Sequence, residues 1–182
     1  MKLRNKFMLG EKTKKNLEDA FAGESMARNK YDYFASVARK AGYEQIANLF
    51  IETSLNEREH AKLWAKQLGL IGDVSANLKA AIEGELFENS KMYPRMAAEA
   101  REEGHEDIAV LFDRVGEVEK HHEARYRKLS VNLETGEVFK KIGPKRWKCL
   151  NCGEIYEGEE APKVCPTCAH PQAFFELLAE NY

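Results

Sequence analysis

Two short stretches indicate the fold of this chain: residues 57–60, Glu-Arg-Glu-His, and residues 119–122, Glu-Lys-His-His. In each stretch a histidine follows a glutamate by three residues, which places both side chains on one face of a helix. Both stretches lie in segments whose apolar residues recur at spacings of three and four, the period of an α-helix. Glu57, His60, Glu119 and His122 therefore lie on helix faces that should point into a core.

Further glutamates lie on such inward faces. Glu24 and Glu85 occupy the apolar faces of two more predicted helices, and Glu88 follows Glu85 by three residues. An unpaired buried carboxylate is costly or takes up a proton, and the sequence offers no inward stripe of lysine or arginine as partners. Bound metal ions remove this conflict, and carboxylate and imidazole ligands together suit iron or manganese.

The order of these residues predicts a particular architecture. One glutamate from each of two helices, with Glu-x-x-His from each of the other two, is the di-metal pattern of ferritin-like four-helix bundles. A single Glu-x-x-His is more often part of a solvated helix face. Two such motifs in register, with Glu24 and Glu85 at matching places, favour the metal site.

The predicted bundle contains an internal repeat. Residues 41–50 match residues 103–112, and the two Glu-x-x-His motifs share that offset of 62 residues. Residues 20–24 match residues 81–85 at an offset of 61. One extra residue must be absorbed in the third helix, so we expect a local π-helical turn between Glu85 and Tyr93.

All four cysteines lie near the end of the chain, in two Cys-x-x-Cys pairs: Cys149, Cys152, Cys165 and Cys168. Two close pairs of thiolates are typical of a tetrahedral iron or zinc site, and a disulfide is the weaker alternative. Spacing alone leaves iron and zinc open, but a neighbouring di-metal redox site favours iron, which can relay electrons.

We expect a mainly α chain with a four-helix bundle over 1–130, a linker over 131–146 and a small β domain over 147–182.

Composition excludes several other classes of protein. The 182 residues carry a net charge of −2, with 43% hydrophobic and 32% charged residues. This charge gives no general attraction to nucleic acid or anionic membrane. No apolar run approaches the roughly 20 residues that span a bilayer, and the first ten residues are too weakly apolar for a secretion signal. We expect a cytoplasmic protein with no nucleic-acid or membrane partner.

These motifs together resemble the rubrerythrin family over nearly the whole chain. The matching stretches are residues 22–25 (Ala-Gly-Glu-Ser), 57–61, 84–88, 92–94 (Met-Tyr-Pro), 119–123 and the cysteine domain up to residue 175. The resemblance implies a ferritin-like bundle followed by a rubredoxin-like domain. It also implies a non-haem di-iron peroxidase that reduces hydrogen peroxide to water, with electrons from an NAD(P)H-dependent reductase, often through rubredoxin.

The resemblance also implies roles for the ligands. Glu57 and Glu119 would bridge the irons, with His60 and His122 as imidazole ligands. The terminal carboxylates would be Glu24, Glu85 and Glu88. The four cysteines would hold a single iron that returns electrons one at a time to the di-iron pair.

Some assignments remain open in the sequence. Tyr31 and Tyr93 match across the repeat near the ligand faces, and either core packing or a hydrogen bond to a ligand carboxylate would explain them. Ala169 stands where the family normally has glycine, which would cost about 1 kcal/mol if the position needs a positive φ. The alternative functions are a ferroxidase or iron-handling protein and a non-catalytic, zinc-stabilised scaffold.

The link between the second and third predicted helices is short. Residues 69–75 reach about 25 Å when extended, whereas a link within one bundle must cover about 30 Å along its axis. We therefore expect a homodimer or higher oligomer in which each bundle pairs the first hairpin of one chain with the second hairpin of another.

Overall fold

In the computed structural model, which describes residues 9–181, long helices precede a small sheet. The helical elements are α1, Glu11–Lys40; α2, Glu44–Leu68; α3, Val74–Phe87; a π-helical segment, Glu88–Met92; α4, Tyr93–Glu102; and α5, Glu106–Glu134. They confirm the predicted fold class of ferritin-like helices followed by a rubredoxin-like domain. Most of the stretch in which we expect no secretion signal lies outside the described residues. No described helix is both long and apolar enough to cross a bilayer.

The described residues divide into two compact units, one up to Gly72 and one from Asp73. In the first unit, α1 and α2 form an antiparallel hairpin that closes on small residues, with Ala35 and Ala47 fully buried. A second contact is polar: the Ser54 hydroxyl donates to Asp32 at 2.6 Å, and Ser54 is almost fully buried. These contacts fix the rotation of α1 against α2.

The second unit repeats this hairpin with α3, α4 and α5. Gly42 and Gly104 each have a φ of 83° at the turn, and the residues after them share nearly the same backbone angles, with a φ of −101° and a ψ of 68° at Tyr43 and a φ of −102° and a ψ of 64° at His105. The repeat in the sequence is therefore a repeat of the turn geometry. The N-cap of α3 is Asp73, whose side chain accepts a hydrogen bond from the N–H of Ala76 at 2.8 Å.

The expected π-helical turn is present at Glu88–Met92. It joins α3 to α4 without a break, since the flanking residues keep helical backbone angles. Gly116 of α5 lies against this region, and a Cβ at that position would approach the Cβ of Tyr93 at 3.3 Å. The absence of a side chain at Gly116 thus lets α5 pack closely beside Tyr93.

The cysteine domain is a three-stranded antiparallel sheet in the order β2-β1-β3. The strands are β1, Lys140–Cys149; β2, Ile155–Glu160; and β3, Phe175–Leu177. Its core contains Trp147 and Phe175, whereas the aromatic residues Tyr156 and Phe174 are 40% and 38% exposed. Only residues 135–139 separate α5 from β1, fewer than the linker of 131–146 that the sequence suggested.

Candidate metal centres

The first hairpin brings together three of the predicted ligands, which we call the first half-set: Glu24 of α1 with Glu57 and His60 of α2. One ligand atom from each lies within 4.8 Å of the others. His60 Nδ1 is 2.9 Å from Glu57 Oε2, as the spacing of three on one helix requires. Two carboxylates and one imidazole therefore converge at the inward face of this hairpin.

The second hairpin forms an equivalent cluster, the second half-set: Glu85 of α3 with Glu119 and His122 of α5. His122 Nδ1 lies 2.6 Å from Glu119 Oε2 and 3.6 Å from Glu85 Oε2. All three residues are partly buried. The six ligands that match across the repeat thus occupy matching places in the two hairpins.

Charge at both half-sets is unbalanced. A hydrogen bond with Glu57, followed by burial, raises the pKa of Glu24, while His60 and Glu24 hold the pKa of Glu57 low. Burial, followed by a hydrogen bond with Glu119, raises the pKa of Glu85. In each pair the raised pKa reflects two carboxylates that lie close together with too little positive charge between them. A metal ion would supply that charge, so these donors fit a cation.

Glu88 lies at the start of the π-helical segment, outside the cluster of the second half-set. It is still close enough for its charge to raise the pKa of Glu85. Burial, followed by the charges of Glu88, Glu119 and Glu85, also raises the pKa of Tyr93. Tyr93 therefore lies beside this half-set, whereas Tyr31 stacks on Phe50 with ring centroids 6.0 Å apart. A hydrogen bond from either tyrosine to a ligand stays a prediction.

The four cysteine sulfurs of the small domain also converge within 4.8 Å of one another. Cys149 Sγ is 3.8 Å from Cys168 Sγ, and Cys152 Sγ is 3.6 Å from Cys165 Sγ. Four sulfurs held tetrahedrally at about 2.3 Å from one metal would lie about 3.8 Å apart. The geometry fits a single tetrahedral metal ion and not a disulfide, whose sulfurs lie about 2.05 Å apart.

Backbone N–H groups polarise the sulfurs of this site. A hydrogen bond from the His170 N–H lowers the pKa of Cys168 to about 6. The Glu154 N–H also lowers the pKa of Cys152, but hydrogen bonds with the other thiols and burial raise it to about 12. Thiols packed this closely cannot all ionise without a cation among them, so the site is built for metal.

Comparison with known proteins agrees with this geometry. The rubrerythrin family model matches twice, over residues 15–73 and 69–130, and a model for the rubredoxin-like domain of rubrerythrin matches residues 147–176. Rubrerythrin-1 of Clostridium acetobutylicum is 47% identical, covering 97% of this chain and 100% of the relative. The rubrerythrin of Porphyromonas gingivalis is 46% identical, with 98% and 96% covered. That of Nitratidesulfovibrio vulgaris is 45% identical, with 97% and 100% covered.

The chain belongs to the rubrerythrin family. Its cofactors are therefore a di-iron centre with carboxylate and histidine ligands and an iron at a rubredoxin-like four-cysteine site. Each hairpin offers one set of side chains of the first kind. Carboxylate oxygen and imidazole nitrogen suit iron at the first centre, and four thiolates suit it at the second. The family model matches the chain twice, once over each hairpin, which supports the internal repeat independently.

Sequence reasoning missed two residues near the centres of this rubrerythrin. The first is Glu123, whose side chain is only 14% exposed and pairs with Arg127. Its position, four residues after Glu119 on the same helix, was the available signal. The second is Trp64 of α2, whose indole Nε1 is buried without a hydrogen-bond partner among the residues that the structure describes.

Proposed function

We propose that this rubrerythrin reduces hydrogen peroxide to water at its di-iron centre, with electrons supplied one at a time through the cysteine-bound iron. The observation that carries this proposal is the combination of two carboxylate-histidine half-sets with a four-thiolate site on one chain. A protein that only oxidised or stored iron would need the helical ligands but no one-electron relay. An oxidoreductase activity is already supported by the family.

Peroxide reduction needs two electrons and two protons for each molecule. The two irons, when bound, supply both electrons together, so that the O–O bond breaks without releasing hydroxyl radical. The chain supplies protons and orientation. Tyr93, whose pKa is raised by burial and by the carboxylates around it, keeps its proton beside the second half-set. We propose that its hydroxyl donates a hydrogen bond to a peroxide oxygen.

The ligand roles are part of the same proposal. Glu57 and Glu119 would be ligands shared by both irons, and His60 and His122 would each add one imidazole. Glu24, Glu85 and Glu88 would be terminal carboxylates. Glu88 is surplus to the repeat, because its counterpart at the offset of 61 is Ala27, and it lies in the π-helical segment. A seventh ligand gives an iron two stable ligand arrangements, which suits a centre that cycles between oxidation states.

We also propose that a complete centre needs two chains. Glu57 lies eleven residues before the end of α2 at Leu68, and Glu85 eleven residues after the start of α3 at Val74. At 1.5 Å per residue, a return link within one bundle must cover about 33 Å along the axis. The link of residues 69–73 reaches only about 22 Å when fully extended. Exchange of hairpins between two chains removes this conflict.

Exposed apolar side chains on the two helices that carry the Glu-x-x-His motifs support this assembly. On α2, Ile46 and Leu49 are 48% and 57% exposed, and on α5 the corresponding Ile108 and Leu111 are 42% and 60% exposed. Each unit taken by itself leaves these residues in water, which is costly for large apolar groups. A hairpin from a partner chain would cover them, so we propose a homodimer or higher oligomer.

The remaining partners follow from the proposed chemistry. We propose that the cysteine-bound iron accepts electrons from rubredoxin or from an NAD(P)H-dependent reductase. Cys152 is exposed, which gives a donor access to one sulfur of this site. The cytoplasmic location expected from the sequence stays a prediction.

Alanine substitution of a bridging ligand tests this function. We expect Glu57→Ala and Glu119→Ala to abolish peroxide reduction while the red colour of the cysteine-bound ferric iron remains, because the two sites belong to separate domains. Glu117→Ala is the matched control, since Glu117 lies on the same helix with its side chain 71% exposed. Wild-type turnover in Glu119→Ala would overturn the proposal. Loss of the red colour as well would show that the domains 1–130 and 147–182 do not fold independently.

A further inference from the structure

Trp64 of α2 carries an unused hydrogen-bond donor next to the first half-set. It lies seven residues after Glu57, two helical turns along the same face. Its Nε1 is buried and has no hydrogen-bond partner in the described part of the chain. An indole N–H can only donate, and a buried donor without an acceptor destabilises the fold. The structure thus retains a costly group where metal ligands converge.

The candidate acceptor for this N–H is Glu24, which lies on the other helix of the hairpin. The hydrogen bond with Glu57, burial and the charge of Glu57 raise the pKa of Glu24, whereas the charge of His60 and the indole N–H of Trp64 lower it. The Trp64 indole therefore lies close enough to the Glu24 carboxylate to lower its pKa, and the structure records no hydrogen bond between the two groups. One oxygen of that carboxylate lies within 4.8 Å of ligand atoms of Glu57 and His60.

The second half-set lacks this arrangement. At the offset of 62 residues that relates Glu57 to Glu119, the counterpart of Trp64 is Tyr126. A phenol can donate or accept and can turn its hydroxyl toward either kind of partner. A fixed donor beside the ligands is therefore a property of the first hairpin alone, within the described residues.

We propose that Trp64 is a positioning residue for Glu24: when metal occupies the first half-set, the indole N–H donates to the Glu24 carboxylate oxygen that does not bind the metal. The inference rests on the metal-binding part of the proposed function and not on peroxide chemistry. Hydrogen bonds to ligating carboxylates orient the ligand and commonly change metal affinity 10- to 100-fold. Trp64 would therefore fix one terminal ligand of the first half-set.

Nuclear magnetic resonance of the full chain with Zn²⁺ tests the contact directly. The Trp64 indole N–H signal is assigned by its absence in Trp64→Phe. The Trp147 indole, which donates to the Gly158 carbonyl at 2.9 Å, serves as an internal reference. We expect Zn²⁺ at the helical site to shift the Trp64 signal downfield and slow its exchange with water, and Glu24→Ala to abolish both changes. A signal that Zn²⁺ leaves unchanged, or that responds equally in Glu24→Ala, would overturn the proposal.

Metal affinity provides a second measurement. In competition with a chelator, Trp64→Phe should bind Zn²⁺ at the helical site about ten times more weakly than the wild type. Leu68→Ala is the control, because it removes apolar contacts one turn further along the same face but no donor. Equal losses in both variants would mean that Trp64 acts only through packing. Neither experiment uses peroxide. Both can therefore be interpreted even if the protein does not reduce peroxide.

Discussion

Ala169 has a backbone conformation that glycine adopts more readily than alanine. It has a φ of 59° and is the one non-glycine residue with positive φ among the described residues. Its N–H bonds to the Cys165 carbonyl at 2.9 Å, as the N–H of Gly153 bonds to the Cys149 carbonyl at 2.9 Å in the first cysteine loop. The position therefore has the positive φ on which the cost of alanine depends.

We expect Ala169→Gly to stabilise the cysteine domain by up to about 1 kcal/mol, because glycine adopts this backbone without strain. The gain is partly offset by the greater freedom of glycine in the unfolded chain. The converse change, Gly153→Ala, should destabilise the domain by about 1 kcal/mol. Thermal loss of the red colour measures both. Equal transition temperatures in the two variants would contradict the strain argument.

Glu88 is the second residue that departs from the pattern around it. We expect Glu88→Ala to retain two irons at the helical centre, because the six ligands of the half-sets remain, but to reduce peroxide more slowly. Iron content and single-turnover rates measure the two effects separately. Wild-type turnover would show that Glu88 has only a structural role, and loss of one iron would show that it is an obligatory ligand.

The sequence predicted which carboxylates and histidines cluster because their spacing repeats. Glu24, Glu57 and His60 have counterparts at fixed offsets, and the carboxylates lie on otherwise apolar helix faces. The bond between Ser54 and Asp32 has no such signal, since the partners lie 22 residues apart on different helices and have no polar counterparts in the second hairpin. Such contacts depend on helix rotation, which one sequence does not determine.

At the scale of elements, the π-helical segment absorbs the one-residue difference between the hairpins. Deleting Ser90, an exposed residue of this segment, should convert it to a regular helix and keep Glu85 and Tyr93 on the same face. The matched control is deletion of Asn29, its counterpart at the offset of 61 in the uninterrupted α1. That deletion rotates everything beyond it by about 100° relative to Glu24.

We therefore expect the Ser90 deletion to unfold cooperatively with a modest loss of stability, and the Asn29 deletion to lose cooperative folding. Circular dichroism during thermal unfolding distinguishes the two outcomes. Similar damage from both deletions would mean that the π-helical segment does not absorb the extra residue.

Helix ends were less predictable than helix faces. The sequence predicted a bundle over 1–130, but α5 continues to Glu134. The added turn includes the Thr135 hydroxyl, which donates to the Val131 carbonyl at 2.9 Å and satisfies a terminal acceptor. Local capping of this kind gives a weaker sequence pattern than the periodic burial that defines a helix face. Helix ends are therefore harder to predict from one sequence.

At the scale of the whole molecule, the exchange of hairpins can be tested by mixing two inactive chains. A chain with Glu57→Ala has a damaged first hairpin, and a chain with Glu119→Ala has a damaged second hairpin. If the chains exchange hairpins, each mixed dimer contains one bundle with both defects and one with none. Refolding the chains together should restore about a quarter of wild-type activity, because half of randomly paired dimers are mixed.

Without exchange, every bundle in the mixture keeps one defect and no activity returns. Each variant refolded alone provides the baseline, and a mixture with the Glu117→Ala chain controls for refolding yield. An active monomer in solution would contradict the exchange independently of this experiment.

Anaerobic stopped-flow spectroscopy of the fully reduced protein tests the central claim, peroxide reduction at the di-iron centre, most directly. The reduced chain is mixed with hydrogen peroxide in one experiment and with oxygen in another. We predict that peroxide oxidises the di-iron centre first and faster than oxygen does, and that the red colour of the cysteine-bound iron returns afterwards. Faster oxidation by oxygen, or a red colour that returns at the same rate in Glu119→Ala, would contradict peroxide reduction at the di-iron centre.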